Sequence, residues 1–212
     1  IWSTGGNDDG RTGQGTSSGT TSGWTLCPDG TTSDQSISTV SITQISVGES
    51  HSMARDSTGN VWVTGYNSSG QLGFGDTTSR NYFERVTSNV NVAEGVETKK
   101  IAAGSERSWA LDTNGRIWCS GHNLSGQFGN PPYSQTVTTF IRADAGPIAT
   151  KSITDFCLAS FDNAIVRTSD NEYYTTGYGG WGSLGTGDTA TRYVYTKLLD
   201  VNANPPPDYG YT

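Results

Sequence analysis

The sequence has few of the side chains that do chemistry near neutral pH. Its 212 residues include two histidines, His51 and His122, and three cysteines, Cys27, Cys119 and Cys157. There is no CxxC pair and no histidine cluster, so a zinc site with its tight ligand spacing is not expected. Acid–base and nucleophilic catalysis have little to draw on, so no catalytic residue, metal or cofactor is assigned. Positive charge is scarce as well: 13 Lys and Arg stand against 20 Asp and Glu, a net charge of −7. That balance argues against a nucleic-acid backbone as the main partner. Apolar residues make up only 32% of the chain, and no apolar run approaches the roughly 18 residues of a membrane span. No helical periodicity is visible. The chain starts at Ile1 with no visible signal peptide, which leaves room for an upstream segment.

Glycine, by contrast, is abundant, with 28 residues, and it is placed periodically. The stretch from Val61 to Thr77 reads VWVTGYNSSGQLGFGDT. Its first residues suit a pleated strand. Gly65, Gly70, Gly73 and Gly75 then give the backbone access to positive φ. Similar stretches begin at Ile1, Ile117 and Tyr173. Gly5, Gly65, Gly121 and Gly177 correspond, at intervals of 60, 56 and 56 residues. The same step relates Ile45 to Ile101 and Cys157, Gly48 to Gly104 and Ser160, and Ala54 to Ala110 and Val166. Internal repetition of this length fixes the architecture.

Each unit divides into four expected strands, which in the second copy are Gln44–Val47, Ser50–Asp56, Val61–Thr64 and Tyr82–Val86. The turns before Val61 and Ile117 carry hairpin signals at Gly59 and Asn114-Gly115. Short antiparallel strands in a repeat of this length make an all-β fold, a β-propeller of four-stranded blades. The expected units are a half repeat with a Ser/Thr-rich insertion (1–43), repeats with linkers at 44–98 and 99–152, a repeat at 153–201, and an extended proline-rich tail at 202–212. About three and a half units are present. Residues 1–16 lack the two strands that precede this segment elsewhere, so they are expected to pair with an upstream segment or another subunit. The 212 residues then belong to a longer chain or dock on a partner. Cys119 and Cys157 fall at apolar repeat positions and are expected to be buried free thiols.

Few residues lack a structural reading. His51 sits at a repeat position where a bond to a neighbouring turn is expected. Tyr66, His122 and Tyr178 share one place at the loop entrance, and Trp181 follows in the last loop. Aromatic side chains gathered on one face suit contacts with protein or glycan, and packing between blades is the competing reading. Asn67 and Asn123 head N-x-S sequons at equivalent positions, so they are glycosylation candidates, set against a role in the turn itself. The acidic turn at Asn7-Asp8-Asp9-Gly10 lacks the ligand alternation of a calcium loop.

The residues Gly48, His51, Ser52, Ala54, Asp56, Gly59, Val61, Trp62, Gly65, Asn67, Gly70, Gln71, Leu72, Gly73 and Gly75 resemble the repeat of the regulator of chromosome condensation family. The third copy matches through Gly104, Ala110, Asp112, Gly115, Trp118, Gly121, Asn123, Gly126, Gln127 and Gly129. The fourth departs, with Ser160, Gly179, Trp181 and Ser183 at pattern positions. The resemblance implies a propeller that is typically seven-bladed, of which this chain is about half. It leaves function open, because family members include a nucleotide-exchange factor for a small GTPase, secreted β-lactamase inhibitors and large scaffolds. The exchange factor's loop insertion and basic tail are absent here. Similar repeats occur in phage and other viral structural proteins, whose Thr, Ser, Gly and Asn richness this chain shares. The expected function is therefore a non-enzymatic structural or interaction module of a virion appendage or other extracellular assembly. It would contact protein subunits that complete the ring, with glycans as a further ligand class. The alternative is a secreted or regulatory propeller that binds and controls an enzyme or small GTPase.

Overall fold

The computed structural model describes residues 1–30, 36–87, 97–159 and 162–198. They form fourteen strands. β1 (Trp2–Gly6) and β2 (Thr20–Leu26) make a two-stranded antiparallel sheet. β3 (Ile42–Val47), β4 (His51–Asp56), β5 (Val61–Gly65) and β6 (Arg80–Arg85) make a four-stranded one. β7 (Thr98–Ala103), β8 (Arg107–Asp112), β9 (Ile117–Gly121) and β10 (Val137–Arg142) make the next four-stranded sheet. β11 (Ile153–Leu158), β12 (Asn163–Thr168), β13 (Tyr173–Gly177) and β14 (Arg192–Lys197) complete the series of four-stranded sheets. Each four-stranded sheet is an antiparallel meander with strands in sequence order. The sheets are blades of a β-propeller that together form a partial ring. β3, β7 and β11 approach one another along its inner side.

The turn between the second and third strands shows why the repeat spacing is strict. Gly59 takes φ +82°, a left-handed position where a side chain would be strained. The Asp56 carboxylate accepts the backbone N–H groups of Thr58 and Asn60 and the indole N–H of Trp62, the last at 2.9 Å. Burial pushes this carboxyl's pKa up, and the hydrogen bonds from Trp62, Asn60 and Thr58 outweigh it, leaving the group below the ordinary range. Asp112 repeats the device with Arg116 N–H and the Trp118 indole.

The core lies between blades. One cluster joins Met53, Val63 and Leu72 of the first complete blade to Ile101, Ala110 and Phe140 of the second. A larger one joins Trp109, Cys119 and Phe128 to Phe156, Val166 and Tyr195. Trp109 meets Phe156 with ring centroids 5.5 Å apart.

Two expectations change. Thr20–Thr43 is not simply an insertion, because its first residues are β2, the outer strand of the opening half blade. On that side residues 1–16 pair within the chain, through Trp2 with Leu26 and Gly6 with Thr20, and the expectation of an upstream or second-subunit partner concerns the opposite edge. Along the other edge of β1 no strand is found among the described residues. Cys157 is exposed rather than buried, whereas Cys27 and Cys119 are buried. The reason is register: Phe156, not Cys157, faces Val166, as Ile101 faces Ala110 and Ile45 faces Ala54. The loop from Leu158 to Asn163 is one residue longer than its equivalents, so β11 is offset by one from the 56-residue step. Ala159 N–H bonds Asn163 C=O where Gly48 bonds His51 and Gly104 bonds Arg107. Ser160, the stretch 88–96 and the tail 202–212 lie outside the described residues.

Trp62 is fully buried and Trp118 half-buried. Replacing Trp62 by Ala is expected to cost about 3–5 kcal/mol in urea unfolding, and Trp118→Ala less. A loss below about 1 kcal/mol at Trp62 would contradict this packing.

Candidate functional site

The glycine loops hold the blades together, and this decides which residues are left for binding. Gly70 N–H bonds Asn67 C=O at 2.9 Å and Gly73 N–H bonds Gly70 C=O at 3.0 Å. The Asn7, Asn123 and Gly179 loops repeat the pattern. The Asn7, Asn67 and Asn123 loops then lie on the outer strand of the next blade. A Cβ on Gly73 would fall 2.3 Å from the Phe140 ring, one on Gly129 2.3 Å from Tyr195, and one on Gly13 2.6 Å from Phe83. Third-strand hydroxyls lock the contact: Thr64 donates to Gly10 C=O, Ser120 to Gln71 C=O and Thr176 to Gly126 C=O.

Asn67 and Asn123 are buried in these loops. The Asn67 Oδ1 accepts Leu72 N–H, and its Nδ2 donates to the carbonyls of Asp76 and Thr78. Asn123 does the same with Phe128, Asn130 and Pro132. This corrects the glycosylation expectation for Asn67 and Asn123. The nitrogen a glycan would occupy is inside the loop and already donating.

The inner side of the ring carries a second, less regular set of links. His51, Arg107 and Asn163 occupy one position in successive blades. The His51 Nε2 bonds the Ser108 hydroxyl at 2.9 Å in the next blade. Arg107, 1% exposed, donates to the Asp162 carboxylate at 2.6 Å and to Ala159 C=O at 2.7 Å. Burial lowers the pKa of the Arg107 guanidinium, and the Asp162 charge opposes that. Burial also pulls the His51 pKa down to about 4. Asp162 takes φ +55°, uncommon for a residue with a side chain. Between these links a cavity of 250 Å³ opens among Val47, Glu49, Gly104, Ser105, Leu158 and Ala159.

Of the aromatic candidates, Tyr66, His122 and Tyr178 sit at one turn in successive blades. Their amides donate to Ser50, Glu106 and Asp162 carbonyls, all at 2.9 Å. The rings thus emerge on the rim that also carries Glu49, Glu106 and Asp162. Tyr66 and His122 are half-buried and Tyr178 is exposed. His122 Nδ1 lies 3.0 Å from Gln127 Nε2, whereas the equivalent Gln71 Nε2 is buried without a hydrogen-bond partner. Tyr178 meets Trp181 edge to face at 6.3 Å. Trp181 is 83% exposed and takes φ +57°. In the complete loops Ser69 and Ser125 hold this place, their N–H groups bonded to Gln71 and Gln127. Ser183 stands where those glutamines do, and its hydroxyl donates to Tyr178 C=O at 2.9 Å. The Trp181 loop is also the one that would lie on a following blade, and a Cβ on its Gly182 meets nothing within 4 Å. Trp181 therefore belongs to the open flank of the arc, and Tyr66 and His122 to the rim.

No group of three or more His, Cys, Asp or Glu residues able to hold a metal occurs among the described residues. No helix there is long and apolar enough to cross a membrane.

Residues 42–71 and 99–127 match the family model for the Regulator of chromosome condensation (RCC1) repeat. The probable E3 ubiquitin-protein ligase HERC4 of Homo sapiens is 27% identical over 168 residues, covering 79% of this chain and 15% of that protein. The X-linked retinitis pigmentosa GTPase regulator of Homo sapiens is 39% identical over 82 residues, covering 39% of this chain and 8% of that protein. The solved structure of Prp20p from Saccharomyces cerevisiae, described with its binding to Gsp1p and histones, superposes with a TM-score of 0.71 at 16% identity. It covers 93% of this chain and 46% of that one. The chain spans less than a fifth of these curated relatives and about half of the solved chain.

The depressed His51 pKa has a signed consequence. The unfolded chain takes up a proton near pH 6.5, and the folded one only near pH 4. His51 therefore destabilises the fold progressively as pH falls between those values, by up to roughly 3 kcal/mol. Urea unfolding at pH 7 and pH 4.5 is expected to show a steeper loss in the parent chain than in His51→Gln. Parallel losses in the two proteins would contradict the assignment.

Proposed function

Because the chain carries repeats of the regulator of chromosome condensation family, we propose that it is a protein-binding propeller segment that regulates a partner enzyme, of the small-GTPase class, without chemistry of its own. The observation that carries this is the rim. Tyr66, His122 and Tyr178 leave equivalent turns, and Glu49 and Glu106 lie in the turns beside them, while the Asp162 carboxylate is taken by Arg107. Aromatic side chains bury area at low entropy cost, and carboxylates around them favour a partner with a basic face. His51 and the buried polar side chains of the loops have structural tasks, which leaves binding as the use of the rim. Support for an enzyme-regulating partner comes from the GTPase regulator matched above and from the Gsp1p binding described for Prp20p. A structural part of a virion appendage or other extracellular assembly is the second reading, and it rests on Ser, Thr and Gly richness alone.

The test uses the purified chain and a panel of small GTPases in nucleotide-free, GDP-bound and GTP-bound states. Binding to at least one member, with a changed rate of nucleotide release, is expected. The double variant Tyr66→Ala with His122→Ala is expected to weaken that binding by ~30-fold, the effect of losing a hot spot of about 2 kcal/mol. No binding across the panel rules out the GTPase partner. Unchanged affinity in a folded double variant rules out the rim.

A further inference from the structure

Tyr66, His122 and Tyr178 share one turn of the repeat, and in one blade alone that turn carries an imidazole. Histidine is the residue whose ordinary titration falls between about pH 5 and 8. What a proton does at His122 depends on which ring nitrogen receives it, and the loop beneath decides that. Gln127 is fully buried. Its Oε1 accepts the Ser125 N–H at 3.0 Å, which fixes the orientation of the amide, because an amide nitrogen cannot accept. Its Nε2 is therefore the atom 3.0 Å from His122 Nδ1. That nitrogen only donates, so Nδ1 accepts and the ring proton of neutral His122 sits on Nε2.

A second proton has only Nδ1 to go to. It turns the acceptor into a donor and sets two N–H groups against each other. Rotating the Gln127 amide gives no relief, because its NH2 would then face the Ser125 N–H. Gln71, at the same repeat position and also fully buried, shows what the loop tolerates. It accepts Ser69 N–H through Oε1 and leaves Nε2 without a hydrogen-bond partner. The Asn67 bonds to Leu72, Asp76 and Thr78 are made all the same. The matching bonds of Asn123 to Phe128, Asn130 and Pro132 do not involve His122 either. The ring contact is thus the part that yields.

The charges around the ring are few. The loops Asn123–Gly129 and Asn67–Gly73 hold no titratable side chain, and 130–136 adds only the phenol of Tyr133. On β14, against which the 123–129 loop lies, Arg192 is paired with Asp188. In the turn before β8, Arg107 is directed to Asp162 and Ala159. Glu106 of the same turn accepts the His122 N–H at its C=O, and its carboxylate accepts the Ser69 hydroxyl at 3.0 Å. Glu106 is the group that offers opposite charge.

We propose that His122 is a proton switch on the rim: uptake of one proton at Nδ1 breaks its bond to Gln127 and frees the imidazolium on the Glu106 side, while the glycine loop stays in place. The rim then exchanges a neutral, half-buried ring for an exposed cation at one blade and not at its neighbours. The switch is a property of the chain itself and holds whatever the rim binds.

The test is proton–nitrogen NMR of the labelled chain from about pH 8 to about pH 5, where His51, at about 4, stays neutral. At the upper end His122 is expected as the Nε2–H tautomer, with cross-peaks between its ring and the Gln127 side-chain amide protons. On acidification the His122 and Gln127 Nε2 signals are expected to move along one curve and those cross-peaks to vanish. The Gln71 Nε2 signals are expected to stay where they are, and the Phe128 N–H to keep its slow exchange. In His122→Tyr, which copies the residue of the neighbouring turns, the Gln127 signals are expected to become as insensitive to pH as those of Gln71. An Nδ1–H tautomer at the upper pH, Gln127 signals that ignore the His122 titration, or Gln127 signals that still titrate in His122→Tyr overturn the proposal. So does loss of protection at Phe128 along the same curve, because loop and ring then open together.

Discussion

Every blade here depends on the next one. A four-stranded sheet of this size has two apolar faces and cannot bury both by itself. The solution is a glycine loop that leaves one blade and lies flat on the outer strand of its neighbour. Contact at Gly73 leaves no room for a side chain, because the Phe140 ring already occupies that position. The same closeness recurs between Gly129 and Tyr195. Once the loop must lie flat, its own polar groups need internal partners, and the buried amide of Asn67 or Asn123 supplies them. The third-strand hydroxyl then ties the loop carbonyl down. Glycine, asparagine, hydroxyl and aromatic positions of the repeat are thus parts of one contact.

The inner side obeys a different rule. There the backbones repeat but the side chains do not. His51 meets Ser108 as a neutral pair, whereas Arg107 meets Asp162 as a buried ion pair. Exchanging these partners would leave a buried guanidinium without its counter-charge, a costly arrangement. The blades are therefore not interchangeable in order, even though their loops are nearly so. The one-residue-longer loop between β11 and β12 fits this picture, since it brings Asp162 and Ala159 C=O to the Arg107 side chain.

Much of the fold was legible because the repeat carries the constraint four times. The strands Gln44–Val47 and Val61–Thr64 differ from β3 and β5 by at most two residues at an end. What failed did so where spacing is not the whole signal. Cys157 was placed by the 56-residue step, and a single extra loop residue turned it to the other face of its strand. The strand β2 was hidden because TTSGWTL is rich in small polar residues and its pairing partner supplies the order. The sequons at Asn67 and Asn123 fall at repeat positions, but no sequence pattern states that their nitrogens are already donating. The rim position of Tyr66, His122 and Tyr178 follows from the repeat. The bond of His122 to Gln127 does not follow from it, since the equivalent Tyr66 and Gln71 make none.

Exposure is the property that the repeat cannot encode, and Trp2 and Trp181 show why. Trp2 has the position of a buried residue and lies open, because burial at that position is a gift of the adjoining strand and not of the tryptophan. Trp181 lies open in a loop whose Gly182 meets nothing within 4 Å, where the equivalent Gly70 and Gly126 press on a neighbouring strand. In an ordinary globule, two exposed tryptophans would both mark binding surfaces. In a linear array of units, the surfaces at the ends and those along the rim answer to different causes. An end surface is set by what one blade needs from the next, and its chemistry can be copied from the interfaces inside the chain. The rim is built otherwise, since Glu49, Glu106 and Asp162 there each bond across to a neighbouring blade; in the proposed reading, recognition of a separate partner is assigned to Tyr66 and His122 beside them rather than to the more exposed tryptophans.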